Sequence, residues 1–247
     1  MNNVMRYAMA GCLLLAGVFA GRSEASVVIG GTRVVYPAQD KEVTVKLTNA
    51  GNQPALVQVW LDDGDDKSTP DTAKVPFTVM PPVFRIDPAK GQAVRLVYTK
   101  EPLPSDKESL FWVNVLEVPP KAAEDGKNHL QFAFRTRIKL FFRPSGLSGD
   151  VATARDKLTW KVVPNAKGKG FAVQATNPTP YYVSFAHVGV KVGDREIDGD
   201  GGMIAPGSST VFSIADLSSA PGAGAQVAFT TINDFGALDK VVKPLGQ

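Results

Sequence analysis

The amino-acid sequence predicts an all-β protein made of two sandwich domains. From Ser26 onward, short runs rich in β-branched and aromatic residues return about every ten residues. Clusters of Pro, Gly, Asn and Asp separate these runs, and no convincing stretch of helical period lies between them. The segment Pro144-Ser145-Gly146 breaks the series once, so the runs fall into two sets.

The first set predicts a domain over residues 26–144. Its predicted strands are residues 27–36, 42–48, 55–61, 83–86, 93–98, 110–118 and 130–142. Seven short strands in about 100 residues are typical of an immunoglobulin-like β-sandwich.

The second set predicts another, looser β-sandwich over residues 145–247. Its predicted strands are residues 158–163, 171–176, 182–192, 210–214, 225–231 and 240–242. Because no long linker joins the two sets, we expect the domains to meet at a fixed angle near Pro144, with a cleft between them.

The first 25 residues are predicted to be a signal peptide. Arg6 precedes an apolar stretch over residues 8–20, which is too short to span a bilayer of about 30 Å with normal flanks. Cleavage after Ala25 fits best, and cleavage after Ala20 stays open as an alternative. Cys12 is the only cysteine, so the exported protein lacks any disulfide or thiolate metal site. With 25 basic and 23 acidic residues, the exported protein has a small net charge, which predicts neither binding to nucleic acid nor insertion into a membrane.

The predicted strand over residues 130–142 is unusually long. Apolar side chains alternate along all 13 residues, about twice the usual strand length, and would span about 43 Å. One interpretation is a long core strand whose aromatic face is simply buried. The other is an exposed edge that another chain pairs with, while Leu130, Phe132 and Phe134 fill pockets on that partner.

Five motifs resemble the periplasmic pilus chaperones. They are LPSDKESLFWVNVLEVPP at residues 103–120, TRVVY at 32–36, PPVFRIDP at 81–88, RIKLFFRP at 137–144 and INDFG at 232–236. The resemblance covers the chain after the signal peptide. It implies a boomerang of two immunoglobulin-like domains that holds pilin subunits in the periplasm and delivers them to an outer-membrane usher.

The resemblance also implies roles for individual residues. Pilins of that system lack their last strand, so Leu130, Phe132 and Phe134 would be the donor residues that fill the pilin groove. Arg33 and Lys139 would bind the pilin's C-terminal carboxylate, which suits a forked guanidinium and an ammonium. Simple alternation places Lys139 on the opposite face from the donor residues, so we expect a bulge or twist between them.

A further implied feature is an interdomain ion cluster of Glu108, Arg143 and Asp234, which would fix the angle of the cleft. Nine residues, 121–129, separate the two strands that flank the cleft edge. With this short loop and without a cysteine pair, the chain resembles the short-loop subgroup of the family.

Other chemistry is not predicted. His129 and His187 neighbour no nucleophile motif, and the acidic run at residues 62–66 lacks the spacing of a calcium loop, so it is interpreted as a solvated loop. We therefore expect no enzyme activity, no cofactor and no metal. The alternative function is an immunoglobulin-like adhesion module of a surface fibre, and self-capping of the free protein as a dimer stays open.

Overall fold

The computed structural model describes residues 26–120, 131–165, 168–215 and 217–246, and these residues form two β-sandwich domains. The first domain contains β1 (Val27–Ile29), β2 (Arg33–Pro37), β3 (Val43–Asn49), β4 (Ala55–Asp62), β5 (Phe77–Met80), β6 (Val83–Ile86), β7 (Gly91–Tyr98), β8 (Ser109–Val118) and β9 (Phe134–Arg143). The predicted all-β class with two immunoglobulin-like domains is confirmed.

In the first domain, a four-stranded sheet in the order β1-β3-β7-β5 packs on a five-stranded sheet in the order β2-β9-β8-β4-β6. Alternate residues of each strand point inward, as expected for sheets with one buried face. The core between the sheets includes Leu47, Val57, Leu96, Val113 and Leu140, all of which are at most 1% exposed.

The second domain begins with a short helix and continues as a sandwich. It contains α1 (Val151–Ala154), a 3₁₀ turn (Arg155–Lys157), β10 (Thr159–Pro164), β11 (Phe171–Thr176), β12 (Val183–Val192), β13 (Arg195–Ile197), β14 (Gly202–Ile204), β15 (Ser209–Ser213), β16 (Gln226–Ile232) and β17 (Leu238–Pro244). Asp150 caps α1 by accepting a hydrogen bond from the Ala152 amide at 2.8 Å.

One sheet of this domain has the order β10-β11-β15, and the other has the order β13-β12-β16-β17, with β14 also paired to β12. Four aromatic rings, Trp160, Phe185, Phe212 and Phe229, fill the space between the sheets with centroid separations of 4.9 to 6.1 Å. Such pairs stabilise a core beyond the area that they bury.

The structure corrects two predicted strands. Residues 27–36 do not form one strand, because the chain turns at Gly30-Gly31 and passes from the sheet of β1 to the sheet of β2. The long strand over residues 130–142 is also shorter than predicted. Regular pairing begins at Phe134, residues 131–133 lie outside any strand, and Leu130 is outside the described residues.

Several elements were missed from the sequence. They are β5, β13, β14 and α1, each only three or four residues long and therefore without a readable period. The interpretation of residues 62–66 as a solvated loop was wrong for Asp62, which ends β4 with its side chain only 1% exposed. Within the described residues, no helix has the length and apolar character needed to cross a membrane.

Candidate functional site

Strand β9 has an edge that is only partly paired. Along one side it pairs with β8 in an unbroken antiparallel register from Phe134 to Phe142. Along the other side it pairs with β2, in parallel, only from Lys139 to Arg143. On that second side, residues 134–138 have no strand partner in the described part of the chain. Unpaired main-chain groups on such an edge are a template for another strand.

The apolar face of β9 extends beyond the core of its own domain. Ile138, Leu140 and Phe142 are buried, whereas Thr136 on the same face is exposed and Phe134 is only partly buried. Phe132 continues this face with 55% of its surface exposed, and its ring centroid lies 6.4 Å from that of Phe134. An exposed phenylalanine beside an open edge suits a contact with a partner.

Two cations lie where the open edge ends. Arg33 and Lys139 are paired in register between the parallel strands β2 and β9, so their side chains share one face. The Arg33 Nη1 atom donates to the Ile232 carbonyl at 2.9 Å, while its buried Nε atom has no hydrogen-bond partner within the described residues. Neither cation forms a salt bridge with a carboxylate of the described residues, so this pair can receive an external anion.

Partial burial destabilises the charged forms of Arg33 and Lys139. Partial burial lowers the pKa of Arg33, and the charge of Asp234 opposes that shift. Burial also lowers the pKa of Lys139, and the neighbouring Arg33 charge lowers it further. A carboxylate bound between them would compensate both effects.

Besides Lys139, the outward face of β9 carries two cations that the sequence interpretation missed, Arg135 and Arg137. Arg137 stacks on Trp112 with its guanidinium carbon 4.4 Å from the ring centroid, and the Lys139 Nζ atom lies 5.7 Å from the same ring. Asp62 holds Arg137 through a hydrogen bond of 3.1 Å from Nε and a second contact from Nη2, and also accepts from Asn114 at 2.7 Å. The alternation Arg135, Arg137, Lys139 was a readable signal of this face.

Hydrogen bonds stabilise the charged form of the Asp62 carboxylate. Burial tends to raise the pKa of Asp62, but hydrogen bonds from Arg137, Asn114 and the Gly64 amide outweigh it and lower that pKa. Arg137, which Asp62 holds in place, stacks on the ring of Trp112, and the same ring lies beside the ammonium of Lys139.

Glu108, Arg143 and Asp234 are brought together between the domains. Arg143 donates to Glu108 at 2.6 Å and forks onto the two oxygens of Asp234 at 2.7 and 3.0 Å. The second oxygen of Glu108 accepts from the Tyr182 amide of the second domain at 2.7 Å. Burial raises the pKa of Glu108 against the opposing charge of Arg143. The cluster thus links β8 and β9 to the second domain.

Other contacts close the junction around this cluster. The Glu108 amide donates to the Pro180 carbonyl at 2.9 Å, and the rings of Phe141 and Tyr182 lie 5.7 Å apart. Gly236, with a φ of +82°, approaches Thr32 so closely that a Cβ atom would lie 2.6 Å from Oγ1 of Thr32. A cavity of about 280 Å³ lies between the domains beside these contacts.

The bulge expected between Lys139 and the donor residues is absent from β9. Its registers with β8 and β2 show no shift from Phe134 to Arg143. Lys139 and Phe134 therefore face opposite sides of the sheet, as alternation alone predicts.

Comparison with known proteins places both domains in one family. Residues 26–148 match the family model of the pili and flagellar-assembly chaperone PapD N-terminal domain, and residues 153–242 match that of the pili assembly chaperone PapD C-terminal domain. The chain is 48% identical to the probable fimbrial chaperone YadV of Escherichia coli (strain K12), over 91% of this chain and 92% of that protein. It is 45% identical to the chaperone protein FimB/FhaD of Bordetella pertussis, over 92% and 91%.

Solved structures agree with this placement. The crystal structure of the YadV chaperone matches with a TM-score of 0.78 at 44% identity, covering 90% of this chain and all of that one. The SafB chaperone of Salmonella enterica, solved in complex with the SafA pilin, matches with a TM-score of 0.73 at 29% identity, covering 91% and 99%.

Proposed function

This chain belongs to the chaperone–usher family of pilus-assembly chaperones, and on that premise we propose that it captures pilin subunits by lending them β9 as a missing strand. Members of this family are chaperones and not enzymes, and they act in the periplasm. The observation that carries the proposal is the half-paired edge of β9, which ends at two cations that form no salt bridge with a carboxylate of the described residues.

The open edge accommodates a short strand of the subunit. Residues 134–138 offer about 16 Å of unpaired backbone at about 3.3 Å per residue. A strand added there lies in line with β2 and stops where β2 begins, at Arg33. Main-chain hydrogen bonds along this edge supply affinity that is independent of the subunit's sequence.

The charge at the end of the edge selects the direction of the added strand. A strand parallel to β9 would point its C-terminus at Arg33 and Lys139, whereas an antiparallel strand would point its N-terminal ammonium at them. Two cations attract a carboxylate and repel an ammonium, so the parallel direction is favoured. The captured segment is therefore the C-terminal strand of the pilin.

This arrangement removes the difficulty of Lys139 facing away from the donor residues. The group that Arg33 and Lys139 bind is a main-chain carboxylate at the sheet edge, so it need not lie on the face of the donor side chains. Phe132 and Phe134, with Leu130 outside the described residues, would enter the groove that the subunit's missing strand leaves open. Both contacts are made with one subunit without a bulge.

The remaining parts of the proposal concern the route of the protein. Residues 1–25 are a cleaved signal peptide, and residues 26–144 and 145–247 are the two domains of the exported chaperone. The chaperone releases its subunit to an outer-membrane usher. When no subunit is bound, a second copy covers the exposed edge of β9, because such an edge promotes association.

Co-purification from the periplasm with a co-expressed pilin subunit tests the proposal. Arg33→Ala and Lys139→Ala should stay folded and lose the subunit, whereas Arg85→Ala, which changes an exposed arginine remote from the edge, should retain it. Complexes that persist undiminished in both cleft variants would rule out the carboxylate contact.

A second pair of variants tests the donor strand. Phe132→Glu should abolish subunit capture while leaving the melting temperature nearly unchanged, because Phe132 is 55% exposed. Val211→Glu changes a residue of similar exposure, 51%, in the second domain and should leave capture intact. A large loss of stability in Phe132→Glu would instead show that Phe132 is an ordinary core residue.

A further inference from the structure

The second domain brings together three potential metal ligands that the proposed chaperone function does not use. They are His187 on β12, Glu196 on β13, and Asp198 directly after β13. A register shift between Phe185 and His187 reverses the alternation of β12 at this point. Because of that shift, His187 faces outward, above the short strand β13, whereas Phe185 and Val188 face the core.

The distances between the three side chains suit a tetrahedral metal. The His187 Nε2 atom lies 3.4 Å from an oxygen of Glu196 and 3.5 Å from an oxygen of Asp198. Nitrogen and oxygen ligands about 2.1 Å from a Zn²⁺ ion in tetrahedral geometry are about 3.4 Å apart. Ligand atoms of all three residues lie within 4.8 Å of one another, so a small movement of the exposed Asp198 completes the set.

A glycine makes room for the imidazole. A Cβ atom at Gly189 would lie 3.0 Å from Nε2 of His187 and 2.9 Å from the Ile197 carbonyl oxygen. The ring of His187 therefore occupies space that any other residue at position 189 would restrict, and its Nε2 atom is directed at the two carboxylates. The Asp198 side chain is 83% exposed, which leaves an entry path from solvent.

We propose that His187, Glu196 and Asp198 form a three-ligand site for a divalent transition-metal ion such as Zn²⁺, with water in the fourth position. One imidazole and two carboxylates are a donor set that Zn²⁺ accepts, whereas Ca²⁺ requires six to eight oxygens. The ion would tie β13 and the segment after it to β12, at a place where the edge strand has only three residues. It would stabilise a domain that has no cysteine to form a disulfide.

The test is titration of the metal-free mature chaperone with ZnCl₂, followed by calorimetry. We expect one equivalent to bind to the wild type, with binding weakened about tenfold or more in His187→Ala and in Glu196→Gln. His129→Ala, which removes the other histidine, should bind Zn²⁺ like the wild type. CaCl₂ should give no comparable heat.

Two further measurements distinguish a metal site from a protonated histidine that pairs with the two carboxylates. Saturating Zn²⁺ should raise the melting temperature by about 5 °C in the wild type and not in His187→Ala. Co²⁺ should give the visible absorption of a low-coordinate site, and His187→Ala should lose it. Equal Zn²⁺ binding by wild type and His187→Ala, or stabilisation by acid alone with no response to Zn²⁺, would overturn the proposal.

Discussion

The ion cluster between the domains allows the most quantitative prediction. Replacing Arg143 by methionine removes the guanidinium that donates to both Glu108 and Asp234 and keeps most of the apolar stem. The two carboxylates then differ in their surroundings, because the side chain of Glu108 is 1% exposed and that of Asp234 is 28% exposed. Glu108 is left as a buried charge with one hydrogen bond, from the Tyr182 amide.

The magnitude follows from that difference in burial. Removing one partner of a buried ion pair costs about 3–5 kcal/mol of the free energy of unfolding. In a protein of about 220 residues, 1 kcal/mol lowers the melting temperature by about 2–4 °C, so Arg143→Met should melt about 6–20 °C below the wild type. Asp234→Asn should cost only about 1 kcal/mol, because the amide still accepts from Arg143, which keeps Glu108 paired.

Urea and thermal unfolding of Arg143→Met, Asp234→Asn and the control Arg85→Met measure these values. Arg85 pairs with Asp87 where their side chains are 68% and 60% exposed, so its loss should change stability by about 0.5 kcal/mol at most. Without Arg143 the folded-state pKa of Glu108 rises further above its unfolded value. The folded state then binds more protons than the unfolded state, so the deficit should shrink as pH falls from about 7 toward 5. Equal losses for Arg143→Met and Asp234→Asn, or a deficit that grows in acid, would refute this reasoning.

Three other predictions concern single contacts. Asp62→Asn should lower the free energy of unfolding at neutral pH by about 3 kcal/mol. Because the lowered pKa of Asp62 stabilises the wild type only above about pH 4, the stability of the variant should fall less than that of the wild type below that pH. Chemical denaturation at several pH values measures this difference, and parallel pH curves would contradict it. Calorimetry with a peptide of the pilin's C-terminal strand should show an affinity that falls as pH rises from about 7 to 10, because the pKa of Lys139 is lowered from its usual 10.5. Lys139→Arg should remove this pH dependence. Gly236→Ala should lower the free energy of unfolding by about 1–2 kcal/mol and weaken binding of the same peptide, because the φ of Gly236 is positive and the new Cβ atom would contact Thr32. An unchanged melting temperature and affinity would show that the junction adapts to the added Cβ atom.

The fold was predictable where strands are long and one face is buried. The period of two in β3, β4, β8 and β12 gave their bounds to within one or two residues, because burial of alternate side chains imposes that pattern. Residues 27–36 were predicted to be a single strand because both β1 and β2 are rich in β-branched residues. The change of sheet depends on Gly30-Gly31 and on pairing with remote strands, which local composition does not encode.

The candidate site was predictable mainly through its motifs. The family resemblance named Arg33, Lys139, Glu108, Arg143 and Asp234, and the structure places them at one junction. Spacing alone could not do so, because Arg143 and Asp234 lie 91 residues apart in the chain. The partnership of Asp62 with Arg137 was equally hidden, since an acidic run beside a glycine has the composition of a loop, and burial follows only from the packing of β4 against β8.

In the proposed complex, Arg33 at the start of β2 limits the length of the subunit strand that can pair with β9. Because β2 begins at Arg33, the chaperone itself occupies half of one edge of β9 and leaves a fixed interval for another chain. A subunit strand that is too long would meet Arg33 before its upstream residues were in register, and one that is too short would leave its terminus away from the cations. Moving the start of β2 by two residues would change the accepted strand length by about 7 Å without altering any donor side chain. Selection of a subunit can therefore evolve in the linker at Gly30-Gly31 without any change in the aromatic residues that we propose to fill the groove.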